Sequence, residues 1–594
     1  MQTVATNKKI LSGNEAIACG AFAGGVEVAS AYPGTPSTEI LENVSKFPEI
    51  YCEWAVNEKV GMEVVIGASF AGARSITAMK HVGLNVAMDP LMTFTYLGAN
   101  GGMVVVSADD PGMHSSQNEQ DNRCLAKFAK IPMLEPSDSQ ECYDMVRAAL
   151  DISEQFKTPV LLRTTTRVSH SSGVVDLGSF ERTGRSNLKY EKDITRTVPV
   201  PLFARKMRVG LEERLGRLAE YSETCPSQRI ERGNDKIGII TSGISYQYAR
   251  DAFPNASILK LGMTFPIPKK LISDFAGSVE KLYVVEEGEP YLEEQILAMG
   301  VKIERAETSL RIGELNPDRL ADLAAEVYGG KPSESIAPIS DLPARPPVLC
   351  PGCSHRGVFY ALNRLKAIVT GDIGCYSLGT FAPLSAMDTI VCMGASVGNA
   401  HGLQKAHQNG RIAAVLGDST FFHSGITGLL NIVYNRGAST IVVLDNRITA
   451  MTGHQDNPGT GRTLMGETTT ETSIADVAKG LGVKRVRVVD PYDLDETYNV
   501  LKEELDADEP SVVVSRRPCV LGAKIKTVRQ YAVDSDACKA CGACLKLGCP
   551  AIELADPEDG DYKKRKARVN PVLCVGCGMC EQVCKFDAIK EVTL

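Results

Sequence analysis

The sequence predicts a multidomain α/β protein, in which doubly wound parallel-sheet domains precede a small cysteine-rich domain. Three observations support this fold class. The chain has 594 residues, too many for one hydrophobic core. Apolar strand-like runs alternate with helical runs rich in alanine and glycine, a pattern typical of βαβ units and parallel sheets. Eight of the 18 cysteines lie between residues 538 and 584, which sets that region apart from the rest.

Changes in composition along the chain predict four domains and one linker. Their expected ranges, in chain order, are 1–180, 181–234, 235–330, 345–525 and 530–594. The first, third and fourth ranges show the α/β alternation. The second range is charged and has poor apolar periodicity, so we expect a linker or excursion there. The last range is short and rich in cysteine and loops.

The overall composition narrows the class of protein. The hydrophobic fraction of 44% and the charged fraction of 23% are ordinary for a globular protein. The formal net charge of −8 gives no indication of a nucleic-acid partner. No uninterrupted apolar run approaches the ~20 residues of a membrane span, and the N-terminal region lacks a signal-peptide pattern. We therefore expect a cytoplasmic protein that binds neither nucleic acid nor membrane.

The C-terminal cysteines form two runs whose spacing indicates iron–sulfur clusters. The first run reads C-x2-C-x2-C-x4-C-P and the second C-x2-C-x2-C-x3-C. Such paired runs are typical of bacterial two-cluster ferredoxins, in which the last cysteine of each run ligates the other cluster. The expected 4Fe–4S ligand sets are Cys538, Cys541, Cys544 and Cys584 for one cluster, and Cys574, Cys577, Cys580 and Cys549 for the other. Structural zinc is the alternative, although four-ligand zinc knuckles seldom use such triple runs.

An acid and an amide end two successive strand-like runs of the fourth domain. Asp418 follows the run that ends at Gly417, and Asn446 follows the next run. Ligands of α/β proteins bind at such strand ends, and the two side chains with the carbonyl of Ile448 suit a Mg²⁺ ion bridging to phosphate. The glycine and the following helix N-terminus would let the backbone approach a diphosphate, whereas a helix N-cap is the structural alternative. The pattern resembles the thiamine diphosphate motif, with Ser419 in place of its second glycine.

Thiamine diphosphate also needs an acid that faces its aminopyrimidine ring and promotes the imino tautomer. This acid should come from a separate α/β domain, because two halves sandwich the bent cofactor. Glu58 lies at the start of a small-residue helix that could meet a flat ring closely. An exposed carboxylate favoured by the helix dipole is the alternative interpretation.

At this point the whole chain resembles the 2-oxoacid:ferredoxin oxidoreductases, and within them the large subunits that act on indolepyruvate. The resemblance covers nearly all of the chain and rests on "SAYPGTPSTEI", "NEKVGMEV", "MKHVGLNVAMDPLM", "HSSQNEQDNR", "LCPGCSHRG", "GDIGCYSLG" and the paired cysteine runs. It implies a pyrimidine domain first, then a transketolase-C-like domain, a diphosphate domain and a two-cluster bacterial-type ferredoxin domain. It also implies that Glu58 is the pyrimidine-activating acid and that Thr35 makes a polar contact near the substrate carboxylate.

The same resemblance implies a third 4Fe–4S cluster close to thiamine diphosphate. Its ligands would be Cys350, Cys353, Cys375 and Cys519. Spacing alone would not identify this set, and the alternative is that the first two cysteines shape a turn while the others belong to the core. His355 and Arg356 either line the site or form a solvated loop pair.

The activity that the resemblance implies is oxidative decarboxylation of aryl 2-oxo acids with coenzyme A, giving acyl-CoA, CO2 and two electrons. Electrons would pass through the 4Fe–4S clusters to an external ferredoxin, and a separate β subunit would complete the enzyme. Three alternatives remain open: the same chemistry on pyruvate or branched-chain 2-oxo acids, non-oxidative decarboxylation to an aldehyde, and an electron-transfer module with an inactive thiamine site.

Overall fold

The computed structural model describes residues 7–184, 190–233, 236–305, 311–330, 342, 346–406, 410–523, 529–555 and 565–592. The expected domain limits at 234–235, 345 and 525 fall outside these ranges. The chain forms two compact units, residues 1–338 and 339–594. The fold is the predicted mixed α/β type with parallel sheets.

In the first unit, the described strands are β1 (Lys8–Ser12), β2 (Val28–Ala31), β3 (Tyr51–Trp54), β4 (Ser75–Lys80), β5 (Met103–Asp109), β6 (Met133–Leu134), β7 (Val160–Thr165), β8 (Ser172–Asp176), β9 (Arg229–Glu231), β10 (Ile237–Ser242), β11 (Ser257–Leu261), β12 (Met263–Phe265) and β13 (Lys281–Val285). The main sheet has the order β12-β6-β7-β5-β4-β2-β3, and all neighbours except β12 and β6 run parallel. A second sheet has the order β13-β10-β11-β9. Every residue of β4, β5 and β7 is buried, as expected for parallel strands covered on both faces.

The described helices of the first unit are α1 (Gly13–Ala23), α2 (Thr38–Val44), α3 (Glu58–Phe70), α4 (His81–Leu97), α5 (Arg123–Ala129), α6 (Ser139–Phe156), α7 (Thr166–His170), α8 (Ile194–Thr197), α9 (Pro201–Ser222), α10 (Ser245–Ala252), α11 (Lys269–Ala276), α12 (Tyr291–Ala298) and α13 (Pro317–Val327). No described helix in either unit combines the length and apolar character needed to cross a membrane.

The described part of the range 181–234, expected to be a linker or excursion, contains regular secondary structure. It contains the 22-residue helix α9 and the strand β9, which joins the second sheet. Only Leu211, Arg214, Leu218 and Ser222 of α9 are buried. Because so few positions of this helix face the protein, its sequence lacks the broad apolar stripe by which amphipathic helices are recognised. The strand β12 also joins the main sheet, so the ranges 1–180 and 235–330 share one sheet.

In the second unit, the described strands are β14 (Ile368–Thr370), β15 (Ile412–Gly417), β16 (Thr440–Asp445), β17 (Arg485–Val489), β18 (Ser511–Arg516), β19 (Gln530–Val533), β20 (Ile552–Leu554), β21 (Ala567–Val569) and β22 (Ile589–Val592). The first five form a parallel sheet in the order β14-β15-β16-β18-β17. The other four form two antiparallel pairs, β19 with β22 and β20 with β21.

The described helices of this unit are α14 (His355–Leu365), α15 (Ala395–Lys405), α16 (Asp418–Thr420), α17 (Ile426–Tyr434), α18 (Ile474–Gly480), α19 (Leu494–Leu505) and α20 (Met579–Gln582). Short 3-10 turns cover Cys375–Thr380 and Cys544–Leu547, and a π-helical turn over Phe421–Gly425 joins α16 to α17. Such π-helical turns frequently occur at functional sites.

Candidate active site and cluster sites

Asp418 and Asn446 come together at one edge of the five-stranded sheet. Asp418 begins α16 directly after β15, and Asn446 follows β16, the parallel neighbour of β15. The backbone N–H of Ile448 donates to both side chains, at 3.2 Å to Asp418 Oδ2 and at 3.2 Å to Asn446 Oδ1. The three predicted metal-binding residues therefore lie within one small group, while their role in binding Mg²⁺ stays a prediction.

The Asp418 carboxylate is buried, and the described residues offer it no ion pair. It is 2% exposed and accepts hydrogen bonds from the backbone N–H of Ser419 at 2.9 Å and from Asn457 Nδ2 at 3.2 Å. Burial raises its pKa to about 7, and the nearby carboxylate of Asp445 acts in the same direction. A buried carboxylate beside an amide oxygen, without an ion pair among the described residues, is a donor set that fits a hard divalent ion.

The residues around Asp418 show why this loop carries glycine and serine. A Cβ atom at Gly417 would lie 2.8 Å from Cε1 of Tyr376, so glycine is needed here to admit the tyrosine ring. The approach of a diphosphate to the backbone at this glycine stays a prediction. The Ser419 hydroxyl accepts a hydrogen bond from Thr449 Oγ1 at 3.0 Å. Serine at the second motif position thus ties α16 to the segment that follows Asn446.

Two further polar residues of this edge were missed by the sequence analysis. Asn457 holds Asp418 through the hydrogen bond described above, and no local pattern marks it. Asp372 is buried and accepts hydrogen bonds from the backbone N–H groups of Gly394 at 3.0 Å and Ser396 at 3.2 Å. Burial raises its pKa to about 6, and the backbone N–H groups oppose that shift. The sequence contains a signal for Asp372, because this acid follows the strand β14 closely, as Asp418 follows β15.

Glu58 and Thr35 lie in the first unit, at the carboxyl ends of the parallel strands. Thr35 follows β2, and Glu58 follows β3 as the first residue of α3. Glu58 is only 6% exposed, so the interpretation as an exposed helix carboxylate is wrong. A Cβ at Gly83 would lie 2.7 Å from Glu58 Oε1, which means that the carboxylate rests on the bare backbone of α4. The role of Glu58 in catalysis stays a prediction.

A lysine missed by the sequence analysis lies beside the Thr35 loop. Lys80 ends β4, and a Cβ at Gly34 would lie 3.2 Å from the Lys80 Cβ. The Lys80 ammonium donates to the backbone carbonyl of Ser115 at 2.7 Å. Burial lowers its pKa to about 8, and the carboxylate of Asp110 opposes the shift. The stretch "MKHVGLN" is part of the family resemblance, but the sequence alone does not show that its lysine lies beside the Thr35 loop.

The eight C-terminal cysteines line two separate cavities, grouped as the crossed ferredoxin pattern predicts. The first cavity is lined by Cys538, Cys541, Cys544 and Cys584. The second is lined by Cys549, Cys574, Cys577 and Cys580. Among the described residues, no three His, Cys, Asp or Glu side chains converge on a single metal ion. Thiols spread around a cavity suit a cubane, which is larger than one ion. We call the cysteines of the first cavity the outer quartet and those of the second cavity the inner quartet.

The four remaining candidate cysteines are spread from 350 to 519 in the sequence, but their thiols influence one another's ionisation. Burial raises the pKa of Cys375 to about 11, and the thiols of Cys519 and Cys350 act in the same direction. Burial raises the pKa of Cys353 to about 12, and Cys350 and Cys375 add to the shift. Each thiol thus lies close enough to others of the set to influence its ionisation. We call Cys350, Cys353, Cys375 and Cys519 the proximal quartet; its role as a cluster site stays a prediction.

His355 and Arg356 are not a solvated loop pair. Their exposed fractions are 3% and 1%. Burial lowers the pKa of His355 to about 4, and the neighbouring Arg356 charge lowers it further. The His355 ring meets the Tyr376 ring edge-on, with centroids 5.9 Å apart.

Three family models match the chain. Residues 19–209 match "Pyruvate flavodoxin/ferredoxin oxidoreductase, thiamine diP-bdg", residues 372–515 match "Thiamine pyrophosphate enzyme, C-terminal TPP binding domain", and residues 567–590 match "4Fe-4S binding domain". The last of these lies within the region of the outer and inner quartets. The chain therefore has binding domains for thiamine diphosphate and for 4Fe–4S clusters.

Two of the similar proteins match 98% of the chain. The indolepyruvate oxidoreductase subunit IorA of Pyrococcus abyssi is 43% identical, over 98% of this chain and 97% of that protein. The subunit of the same name from Archaeoglobus fulgidus is 42% identical, with the same coverage of both chains. The 2-oxoglutarate synthase subunit KorA of Archaeoglobus fulgidus is 25% identical over 47% of this chain and 87% of that protein.

Proposed function

The chain belongs to the family of the indolepyruvate oxidoreductase IorA subunits, and from this premise we propose its substrate, its cofactor ligands and its electron path. As a member it is a 2-oxoacid:ferredoxin oxidoreductase with thiamine diphosphate and iron–sulfur centres. The proposed reaction converts an aryl 2-oxo acid, such as indolepyruvate, and coenzyme A into acyl-CoA, CO2, one proton and two electrons. The electrons leave to an external ferredoxin, and a separate β subunit completes the enzyme.

The residues of the strand-end group hold the cofactor in this proposal. Bound thiamine diphosphate supplies a nucleophilic carbon for the 2-oxo group and a sink for the electrons left by CO2. Asp418, Asn446 and the carbonyl of Ile448 would hold the Mg²⁺ ion that neutralises the charge of its diphosphate. Asn457 and Ser419 keep the Asp418 carboxylate in position through their hydrogen bonds.

Glu58 and Thr35 act on the reacting groups in this proposal. Glu58 would face the pyrimidine ring and would act there as the acid–base group that activates the cofactor. Because Gly83 brings no side chain, the face of α4 leaves the Glu58 carboxylate room to reach a flat ring. Thr35 donates a hydrogen bond to the substrate carboxylate, and the Lys80 charge beside its loop attracts that anion.

The single observation that best supports coupled oxidation and electron transfer is a hydrogen bond. The backbone N–H of Cys519 donates to the backbone carbonyl of Asn446 at 2.9 Å. It joins a member of the proximal quartet to a residue proposed to hold the metal. Electrons released at the cofactor would thus find thiolate-bound iron nearby, which is what a 2-oxo acid oxidoreductase requires and a simple decarboxylase does not.

The order of the remaining clusters follows from the cavity linings. The inner quartet's cavity is lined also by Pro351, Gly352 and Arg356, next to the proximal quartet. The described residues that line the outer quartet's cavity all fall between 533 and 589, and its Cys541 is exposed. We therefore order the path as proximal, inner and outer quartet, with external ferredoxin reduced at the last.

The test is an anaerobic assay of the chain with its co-expressed β subunit. Indolepyruvate, phenylpyruvate, pyruvate, 2-oxoisovalerate and 2-oxoglutarate are each supplied with coenzyme A and oxidised ferredoxin. The proposal predicts ferredoxin reduction with the highest kcat/KM for the aryl substrates and strict dependence on coenzyme A. Preference for pyruvate or 2-oxoisovalerate would reject the substrate proposal, and aldehyde release without ferredoxin reduction would reject the oxidative reaction.

A further inference from the structure

Arg356 lies between two cysteine loops that are far apart in the sequence. It is the second residue of α14 and is 1% exposed. Its Nε donates to the backbone carbonyl of Cys350 at 3.1 Å, and its Nη2 donates to that of Leu349. Its Nη1 donates to the carbonyls of Leu547 at 3.0 Å and Gly548 at 2.6 Å. One planar guanidinium thus connects the loop of Leu349 and Cys350, here called the proximal loop, to the turn that precedes Cys549.

The positive charge of Arg356 has no carboxylate partner in the described ranges, since all four acceptors are backbone carbonyls. The Arg356 side chain lines the cavity of the inner quartet and also hydrogen bonds to the backbone of Cys350 in the proximal quartet. It therefore lies next to both quartets. A fully buried cation without a counter-ion is costly. The negative charge that would compensate it must therefore come from the two cysteine sites.

The two loops also touch without Arg356. A Cβ at Gly352 would lie 2.1 Å from Cγ2 of Val575, which stands next to Cys574. The Tyr492 hydroxyl donates to the carbonyl of Gly352, and Gln582 Nε2 donates to the carbonyl of Tyr492 at 2.8 Å. The spacing between the quartets is therefore set by packing, and the cation is held at a fixed place between them.

We propose that Arg356 is a positioning residue that raises the reduction potentials of the proximal and inner clusters together. The inference rests on the proposed function, because it needs clusters in both quartets. A cubane ligated by four thiolates is anionic and becomes more negative when it accepts an electron. A fixed buried cation stabilises the reduced form, and net charge and hydrogen bonding are among the factors that set such potentials.

This arrangement has a consequence for electron flow. Because one charge acts on both clusters, it shifts their potentials in the same direction and leaves the step between them nearly unchanged. The outer cluster, whose cavity Arg356 does not line, keeps its own potential. The cation therefore favours transfer of electrons from the substrate to the first two clusters. It does not make either of these clusters hold the electron more strongly than the other.

The test compares Arg356→Gln and Arg356→Lys in the anaerobic full-length chain with its β subunit. The matched control is Arg364→Gln, on the same helix, whose exposed guanidinium packs 4.5 Å from the centroid of the Tyr498 ring. Iron per chain and the midpoint potential of each cluster are measured, the latter by redox titration followed by electron paramagnetic resonance. Neither readout depends on substrate turnover.

In Arg356→Gln, the ratio of reduced to oxidised cluster at a fixed ambient potential should fall about tenfold for two clusters, equivalent to ~59 mV for a one-electron couple. The outer cluster of Arg356→Gln should keep the wild-type ratio of reduced to oxidised form. All clusters of Arg356→Lys and Arg364→Gln should also stay near their wild-type ratios. Unshifted potentials in an iron-replete Arg356→Gln chain would overturn the proposal, as would equal shifts in the lysine variant.

If Arg356→Gln loses iron, Arg356→Lys decides the matter. Wild-type iron content and potentials in the lysine variant support the role of the charge. Iron loss from both variants would assign Arg356 to loop geometry alone and overturn the electrostatic role. A wild-type chain with about eight irons, in place of about twelve, would instead reject the third cluster on which the inference rests.

Discussion

Replacing Gly352 with alanine perturbs the contact between the proximal and inner quartets at its tightest point. Gly352 has φ +64°, a left-handed conformation, and its added Cβ would lie 2.1 Å from Cγ2 of Val575. The left-handed backbone costs an alanine ~1–2 kcal/mol. Relief of the overlap costs another ~1–3 kcal/mol, because both loops are held by neighbouring hydrogen bonds. The expected destabilisation is therefore ~2–5 kcal/mol, which is the sum of the two costs.

Val575→Ala provides the matching second substitution, because it removes the methyl group that the new Cβ would strike. The double variant should recover the overlap cost of ~1–3 kcal/mol and keep only the backbone cost. At ~2–4 °C per kcal/mol, the single variant should unfold roughly 4–20 °C below wild type and the double variant roughly 2–8 °C below.

The assay is thermal unfolding under anaerobic conditions, combined with rapid-freeze measurement of the rate at which substrate reduces each cluster. Gly352→Ala should slow reduction of the inner cluster, because its loop is pushed away from the proximal loop. The double variant should regain most of that rate. If single and double variants unfold at the same temperature and transfer electrons equally fast, the Gly352–Val575 contact does not set the spacing between the clusters.

Three further predictions concern the cofactor and the two ends of the electron path. Asp418→Asn should release thiamine diphosphate on gel filtration. In wild type, the pKa of Asp418 is raised to about 7, so Mg²⁺ must displace a proton from this carboxyl below that pH. The affinity for Mg²⁺ and the cofactor should therefore fall about tenfold from pH 8 to pH 6. Loss of affinity no larger than the free cofactor's own ionisation explains would contradict this. Glu58→Gln should retain the cofactor but lose roughly 10²–10⁴-fold in turnover and in the rate of proton exchange at thiamine C2, which NMR follows. The control Glu63→Gln, which alters an exposed ion pair on the same helix, should match wild type. Proton exchange at the wild-type rate in Glu58→Gln would show that Glu58 has no catalytic role. Cys541→Ser should abolish reduction of external ferredoxin while substrate still reduces the other two clusters, and unimpaired ferredoxin reduction would contradict the outer position of that quartet.

The sequence predicted most reliably those features that depend on short spacings or on strand ends. The crossed pairing of the two C-x2-C-x2-C runs grouped the same cysteines that line each cavity. Asp418 and Asn446 were expected to meet because the ends of neighbouring parallel strands lie at one edge, and β15 and β16 are such neighbours. In both cases, a general rule of geometry links residues that are fewer than fifty positions apart.

Features that depend on distant packing were not predictable from the pattern. Arg356 hydrogen bonds to residues 191 and 192 positions away, and nothing around it marks it as buried. Helix α9 was assigned to a linker because only a narrow part of its surface is covered. The Tyr376 ring that packs against Gly417 lies 41 positions before it, and the local pattern gives no sign of this contact. Such contacts arise only when separate segments pack together.

The most direct test of the account is the iron content of the full-length chain purified without oxygen, together with its thiamine content. The central claim is that one chain carries a thiamine site joined to three 4Fe–4S clusters. The account predicts about twelve irons and about one thiamine diphosphate per chain, with three cluster signals after reduction. About eight irons with full thiamine content would contradict it, because the proximal quartet would then hold no cluster and the path from the cofactor would be broken.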